Sequence, residues 1–179
     1  MIYFTADLHF GHQNIIKYCN RPFMSVQEMD DALTRNWNDV VSSRDEVYIL
    51  GDLTMKAPEE AHAYLCVLNG RKYFIRGNHD KFLRGFTPYE SDFVWIKDYY
   101  TLKHNGQKIV LFHYPICEWD GFFRGSIHLY GHIHNSTVSA KRTDAMSGLA
   151  FNVGVDCNNY RPISIEEVML MAGKVSSGS

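Results

Sequence analysis

The sequence predicts an α/β layered domain, and three observations carry that prediction. Short β-branched and aromatic runs of strand length recur along the chain, amphipathic stretches of helical period separate them, and an Asn-Gly step sits between two apolar runs. The runs read Ile2 to Ala6, Val47 to Leu50, Tyr73 to Ile75, Ile109 to Phe112, Ile127 to Tyr130 and Leu149 to Val155. None is longer than seven residues, which suits strands rather than helices.

The elements follow in order. After the first run, Val26, Met29, Leu33, Trp37, Val40 and Val41 fall on one helical face, and Ser25 with Glu28 forms a capping box, so a helix is predicted over roughly residues 25–42. A second helix starts near Pro58, which suits a first helical turn. It carries Ala61, Tyr64, Leu65 and Leu68 and stops at Asn69-Gly70. Tyr99–Lys103 and Lys108–Phe112 flank Asn105-Gly106, a pair that accepts the positive φ angles of a type I′ turn, so a β-hairpin and mixed strand directions are expected. Ser164 and Glu167 are set to cap a short last helix through Met171. Residues 1–172 are read as one domain and 173–179, low in complexity, as a disordered tail.

Composition excludes several classes. The 179 residues are 45% hydrophobic and 21% charged, which is the make-up of a folded globule rather than a disordered or fibrous chain. Eighteen Lys+Arg against 20 Asp+Glu leave a net charge of −2, which argues against coating nucleic acid by bulk positive charge. No apolar stretch reaches the roughly 18 to 20 residues of a membrane helix, and MIYFTADLHF has no basic n-region, so a cytoplasmic location is expected. Cys19, Cys66, Cys117 and Cys157 form no CxxC pair and are read as reduced thiols.

The chemistry concentrates where strands end. Asp7 and His9 follow the first run, at an i, i+2 spacing that puts both side chains on one side of an extended segment. Gly51-Asp52 closes the second run, Gly77-Asn78-His79-Asp80 the third, His113 the fourth and Gly131-His132-Ile133-His134 the fifth. Ligand sites of open α/β sheets form beyond the carboxyl ends of strands, so these residues are expected to converge, with the glycines at 51, 77 and 131 allowing sharp turns. Any single motif is weak, because Asp after a strand is commonly a turn former, but five in order are a strong signal. Asp7, His9, Asp52, Asn78, His113, His132 and His134 are seven oxygen or imidazole donors with no thiolate. They exceed one ion's needs and suit two divalent ions bridged by Asp52, with Mn²⁺ favoured and Fe or Zn²⁺ also compatible.

This ordered set, DxH, GD, GNH followed by Asp, His, then GHxH, resembles the calcineurin-like metallophosphoesterase superfamily, over residues 3–134 at least. The resemblance implies a two-sheet β-sandwich flanked by helices in four layers. It implies one metal held by Asp7, His9, Asp52 and His134, another by Asp52, Asn78, His113 and His132, and a catalytic His79 paired with Asp80. The segment Gly51-Asp52-Leu53-Thr54-Met55-Lys56 lacks the Asp-Arg-Gly of the superfamily's protein Ser/Thr phosphatases. That points instead to a small bacterial or phage-type phosphoesterase.

The expected reaction is hydrolysis of a small phosphodiester or phosphomonoester, including nucleotide-like esters, with the diester favoured. A metal-bridging water is the nucleophile and His79 the proton donor to the leaving group. The rival readings are a protein-interaction scaffold or a phosphate-binding sensor on the same fold, and the chain is expected to be a monomer or small homo-oligomer. His12, in the segment HFGH, is placed either to reach a substrate oxygen or to sit on the surface of the next helix. Arg21 and Arg161, in loops, are positioned either to fork a phosphate or to be solvated. Trp119, Phe122 and Phe123 read as core rather than as a stacking wall, and His62, His104 and His128 as structural.

Overall fold

A computed structural model of the chain describes residues 1–83, 91–136 and 149–176, with side chains described through residue 173. Four strands, β1 (Ile2–Thr5), β2 (Glu46–Leu50), β3 (Arg71–Ile75) and β4 (Trp95–Lys97), run parallel in the spatial order 4-3-2-1. β9 (Ile163–Ser164) closes the sheet antiparallel to β1. A second sheet is formed by β5 (Tyr99–His104), β6 (Gln107–Phe112), β7 (Ile127–Tyr130) and β8 (Ala150–Asn152). Its β5–β6 pair is the hairpin the sequence predicts, with Asn105 and Gly106 both at positive φ and His104 opposite Gln107. The later pairs of this sheet are parallel.

Alternation along the strands builds two cores. Phe4, Tyr48, Leu50, Tyr73 and Ile75 face the second sheet and pack on Ile109, Leu111, Ile127 and Leu129. Val47, Ile49 and Phe74 point the other way, under α1 (Gln13–Tyr18), α2 (Val26–Val40) and α3 (Pro58–Val67), where Met29, Leu33, Trp37 and Leu65 meet them. A strand buried on both faces reads as a continuous apolar run, which is why these runs were legible as strands. The architecture is therefore the two-sheet sandwich flanked by helices.

Helix ends follow their signals. Ser25 caps α2, its Oγ accepting from the Glu28 N–H at 3.1 Å, and Glu28 reaches back to the Met24 N–H at 2.7 Å. α4 (Ile165–Ser176) opens with the expected capping box: Glu167 N–H donates to Ser164 Oγ, and Ser164 N–H to Glu167 Oε2. It runs beyond Met171 through Gly173. A glycine costs a helix only about 1 kcal/mol relative to alanine, so it weakens the last turns without ending them. The expected tail from residue 173 thus begins as helix, and residues 177–179 lie outside the described residues. The run expected from Leu149 to Val155 is shorter, Ala150–Asn152, because the chain then leaves the second sheet and bridges Gly154 to Ala6 of the first.

Glu167 also fixes the pH behaviour of this helix. The Arg161 guanidinium, 2.6 Å away, and the Ser164 N–H hold its carboxyl down at about 2, against burial. The folded value lies below the unfolded one, so the stabilisation is complete above about 4.5 and is lost as pH falls through about 2. The pair is partly solvated, so screening keeps the effect near 1 kcal/mol. Glu167→Ala is expected to lower Tm at pH 7, with the gap to the parent closing near pH 2 in thermal melts.

Candidate metal centre

The site lies where the two sheets share an edge. Past β1 and β2 the ladder continues between their exit loops: Asp7 N–H donates to the Gly51 carbonyl, His9 N–H to Asp52, and Phe10 N–H to Leu53, at 2.9–3.0 Å. From the second sheet, His132 N–H donates to both oxygens of Asp7, at 3.0 and 2.8 Å. Nine non-glycine residues among those described have positive φ, and five of them are Asp7, His9, Asp52, His132 and His134. The loops leaving β1, β2 and β7 therefore each turn through a left-handed residue that carries a donor, whereas Asn78 and His113, after β3 and β6, do not need one. That is local strain gathered at one place. Asp7 and His9 thus share a direction through paired left-handed turns, not through the extended spacing the sequence suggests.

Glycine serves the site chiefly through close approach. Gly51 has φ +87°, as a sharp turn requires, but Gly77 and Gly131 do not have positive φ. A Cβ on Gly131 would stand 2.7 Å from Asp7 Oδ2, and one on Gly77 would meet the Asp52 carboxylate. Both positions must be glycine so that loops can pass against the carboxylates.

The donors fall into two groups. Asp7, His9 and His134 offer atoms within 4.8 Å of one another, and so do Asp52, His113 and His132. Asn78 Oδ1 lies 3.0 Å from both His113 Nε2 and His132 Nδ1, which joins it to the second group. Asp52 Oδ2 is 3.6 Å from His9 Nε2 and 3.6 Å from His113 Nε2, midway between the groups. His113 Nδ1 donates to the Leu50 carbonyl at 2.7 Å, which leaves Nε2 free for the centre.

The donor set fits divalent cations. His9 is 1% exposed, yet neither ring nitrogen has a hydrogen-bond partner. Such an orphaned imidazole is costly unless something binds its lone pair. Burial holds His9 well below its ordinary pKa, and burial also lowers His113 and His132, so their rings are neutral and able to ligate. Burial, together with the Asp52 charge, pushes Asp7 up to about 7 even though His134 pulls it down; a cation between the groups would relieve that repulsion. A third group, Cys19, His134 and Asp156, shares His134, but Asp156 is already committed to Arg21.

Four other expectations meet the geometry differently. His12 does reach the site: its ring is 5.5 Å from that of His9, and it lines a cavity of about 760 Å³ together with His9, Tyr18, Met55, His79 and His134. Arg21 is not a substrate residue. It is 4% exposed and lies beneath the centre, bonded to Asp156 and to the carbonyls of Asp7 and Leu8. Arg161 is not one either, because its guanidinium pairs with Glu167 at the start of α4 and lines a separate groove. Asp80 does not orient the His79 ring. Its Oδ2 accepts from the Gly77 and Asp52 N–H groups and its Oδ1 from Leu53, so it pins the loops after β2 and β3 to each other. His79 is held instead through its own N–H, which donates to Asp52 Oδ1 at 2.9 Å, and its ring faces that of His9 at 5.4 Å.

The remaining aromatic and histidine readings divide. Trp119 is buried against His128, whereas Phe123 is 84% exposed. His128 is fully buried between the Val110 and Tyr114 carbonyls, and burial holds it down at about 4, in keeping with a structural role. Asp156 was missed by sequence reasoning. Its carboxylate meets His134 Nδ1 at 2.8 Å, but it follows a short strand without any histidine beside it, so no local pattern marked it.

Two packed sheets whose strands release carboxylate and imidazole donors at one shared edge define a layered α/β protein with a candidate site for divalent metals. The chain belongs to the calcineurin-like phosphoesterase family, whose model matches residues 1–144. The uncharacterised protein MJ1445 of Methanocaldococcus jannaschii is 38% identical over 175 residues, covering 97% of this chain and 92% of that protein. The gene 66 protein of Mycobacterium phage D29 is 27% identical over 202 residues, covering 99% and 98%. Among solved structures, protein AQ665 of Aquifex aeolicus, described as of unknown function, aligns with a TM-score of 0.72 at 27% identity and covers 96% of this chain and 98% of that one. No helix among the described residues is long and apolar enough to cross a membrane.

Proposed function

We propose that the protein is a dinuclear metal-dependent phosphoesterase acting on a small phosphate ester, with diesters preferred and nucleotide-like leaving groups included. The observation that carries this reading is Asp52 Oδ2, poised 3.6 Å from an imidazole nitrogen of each donor group. Asp7, His9, Asp52 and His134 would hold one ion, and Asp52, Asn78, His113 and His132 the other. Two divalent ions, Mn²⁺ being our first choice, supply an activated water and neutralise phosphate oxygens when bound. The chain's own residues then do the rest. His79, beside His9 in the cavity lining, donates a proton to the departing oxygen. His12 orients a substrate oxygen.

The described lining of the cavity supports the diester preference. Besides its histidines it presents Ile15, Tyr18, Met55 and Ile133 with Asn20, Asn135 and Ser136, so it offers a leaving group apolar and neutral polar contacts rather than a cationic clamp for a terminal dianion. The reading places the protein in the cytoplasm as a monomer or small homo-oligomer.

The test compares bis-p-nitrophenyl phosphate with p-nitrophenyl phosphate on metal-stripped protein reloaded with Mn²⁺, with His113→Ala as control. Faster diester hydrolysis that is lost in the control is the expected result. Faster monoester hydrolysis would make the protein a phosphatase instead. Absence of turnover of either ester by fully loaded protein would sink the enzymatic reading.

A further inference from the structure

We propose that Arg21 and Asp156 form a buried positioning pair that dictates which ring nitrogen of His134 faces Asp7 and His9, and so sets the metal affinity of that half of the centre alone. The inference rests on the dinuclear reading above. It starts from an accounting of donors. Arg21 spends all of its N–H groups: Nε on Asp156 Oδ1 at 2.8 Å, Nη2 on Asp156 Oδ2 at 2.9 Å and on the Asp7 carbonyl at 2.7 Å, and Nη1 on the Leu8 carbonyl at 2.9 Å and on Met29 Sδ at 3.4 Å. Both side chains of the Arg21–Asp156 pair are fully shielded from solvent. A buried ion pair is a poor source of stability, because desolvation offsets its attraction, so its value here lies in the geometry it fixes.

That geometry joins two parts of the site. Through the two carbonyls Arg21 holds the left-handed turn at Asp7, and through Asp156 it reaches His134, far along the chain. Asp156 Oδ2 accepts from His134 Nδ1 at 2.8 Å. A carboxylate can only accept, so Nδ1 must carry a proton, and Nε2 is the nitrogen left to take an ion. The other half of the centre uses a neutral device for the same purpose, since His113 Nδ1 donates to the Leu50 carbonyl. The two halves thus hold their histidines by different means, a carboxylate fixed by an arginine on the Asp7 side and a backbone carbonyl on the other, so one support can be removed without touching the other.

Asp156→Asn is the discriminating change, because it preserves shape and removes the charge. Oδ1 and Oδ2 each accept from Arg21, and Oδ2 accepts from His134 Nδ1 as well. An amide in either orientation sets its N–H₂ against one of these donors, so the pair breaks and the Nδ1–H of His134 loses its carboxylate support. Metal-stripped parent and variant are titrated with Mn²⁺ by equilibrium dialysis, with His113→Ala marking the other half. The parent is expected to bind two ions. Asp156→Asn should leave one at parental affinity and weaken the other about 10–100-fold, whereas His113→Ala weakens the opposite ion.

Two parental affinities in Asp156→Asn, or equal weakening of both, would overturn the inference while leaving the dinuclear reading intact. A parent that binds fewer than two ions would overturn both. Should the variant not fold, ¹⁵N spectra of the Zn²⁺-loaded parent decide the matter. A retained Nδ1–H on His134 with a ligated Nε2 is expected, and a ligated Nδ1 would refute the assignment.

Discussion

Asp52→Asn is expected to abolish the stabilising effect of Mn²⁺ and to lower turnover about 10³-fold or more, while the metal-free protein melts no lower than its parent. The three effects share one cause. Asp52 Oδ2 is the atom that faces both donor groups, so an uncharged amide there weakens the hold on two cations at once. Losing about 4 kcal/mol of charge stabilisation corresponds to roughly three decades in rate. Without metal the sign reverses. Burial first, and then the Asp52 charge, push Asp80 up to about 7, and Asp52 also raises Asp7, so in the empty site Asp52 works against its neighbours. The amide removes that repulsion yet keeps an oxygen to accept the His79 N–H. Melting curves with and without Mn²⁺ would show it: a parent held at 100 times its dissociation constant gains about 2.7 kcal/mol per ion, and the variant gains little. A variant that kept the full Mn²⁺ shift would remove Asp52 from its bridging role.

The contrast between Asp52 and Arg21 shows what sequence could and could not reveal. The donors grouped here follow strand runs directly, so the rule that sites form at strand ends marks them within the sequence itself. The runs themselves and the β5–β6 hairpin were legible for the same reason, since apolar runs and one Asn-Gly turn are local signals, whereas the pairings of the other strands join segments far apart in the chain. The strands β4 and β9 are three and two residues long, and α1 is a single short helix, so each rests on tertiary contacts that no window of sequence displays. Arg21 and Asp156 are 135 residues apart, and an arginine in a loop looks alike whether it meets solvent or a buried carboxylate. What distinguishes it is the crossing from β8 to the first sheet, with the Val155 N–H on the Ala6 carbonyl at 3.0 Å, which carries Asp156 beneath the Asp7 turn. Asp80 is the converse case. Its motif was recognised, but its partner depends on rotation about one side chain, and the carboxylate turns away from the adjacent imidazole to three backbone N–H groups.

The two halves of the His79–Asp80 motif should therefore fail in different ways. His79→Ala is expected to cut turnover of an ester with a poor leaving group by about 10²–10⁴-fold, to spare an ester whose leaving group needs no proton, and to leave Tm and Mn²⁺ binding close to parental. The imidazole lines the cavity, and the anchoring bond to Asp52 comes from the backbone, which the substitution keeps. Asp80→Ala should do the reverse at its first step. It strands the N–H groups of Asp52, Leu53 and Gly77 in a nearly water-free corner, at a cost of about 2–4 kcal/mol, and frees the Asp52 loop to drift from His113. Tm and Mn²⁺ affinity fall together, and turnover falls with them for good and poor leaving groups alike. If Asp80 served to orient the His79 ring, its loss would mimic His79→Ala, with a leaving-group-dependent defect and an unchanged Tm. Parallel melts and a two-substrate comparison on the same preparations separate these outcomes, because loop anchoring precedes chemistry for every ester, whereas proton donation matters only when the departing oxygen demands it.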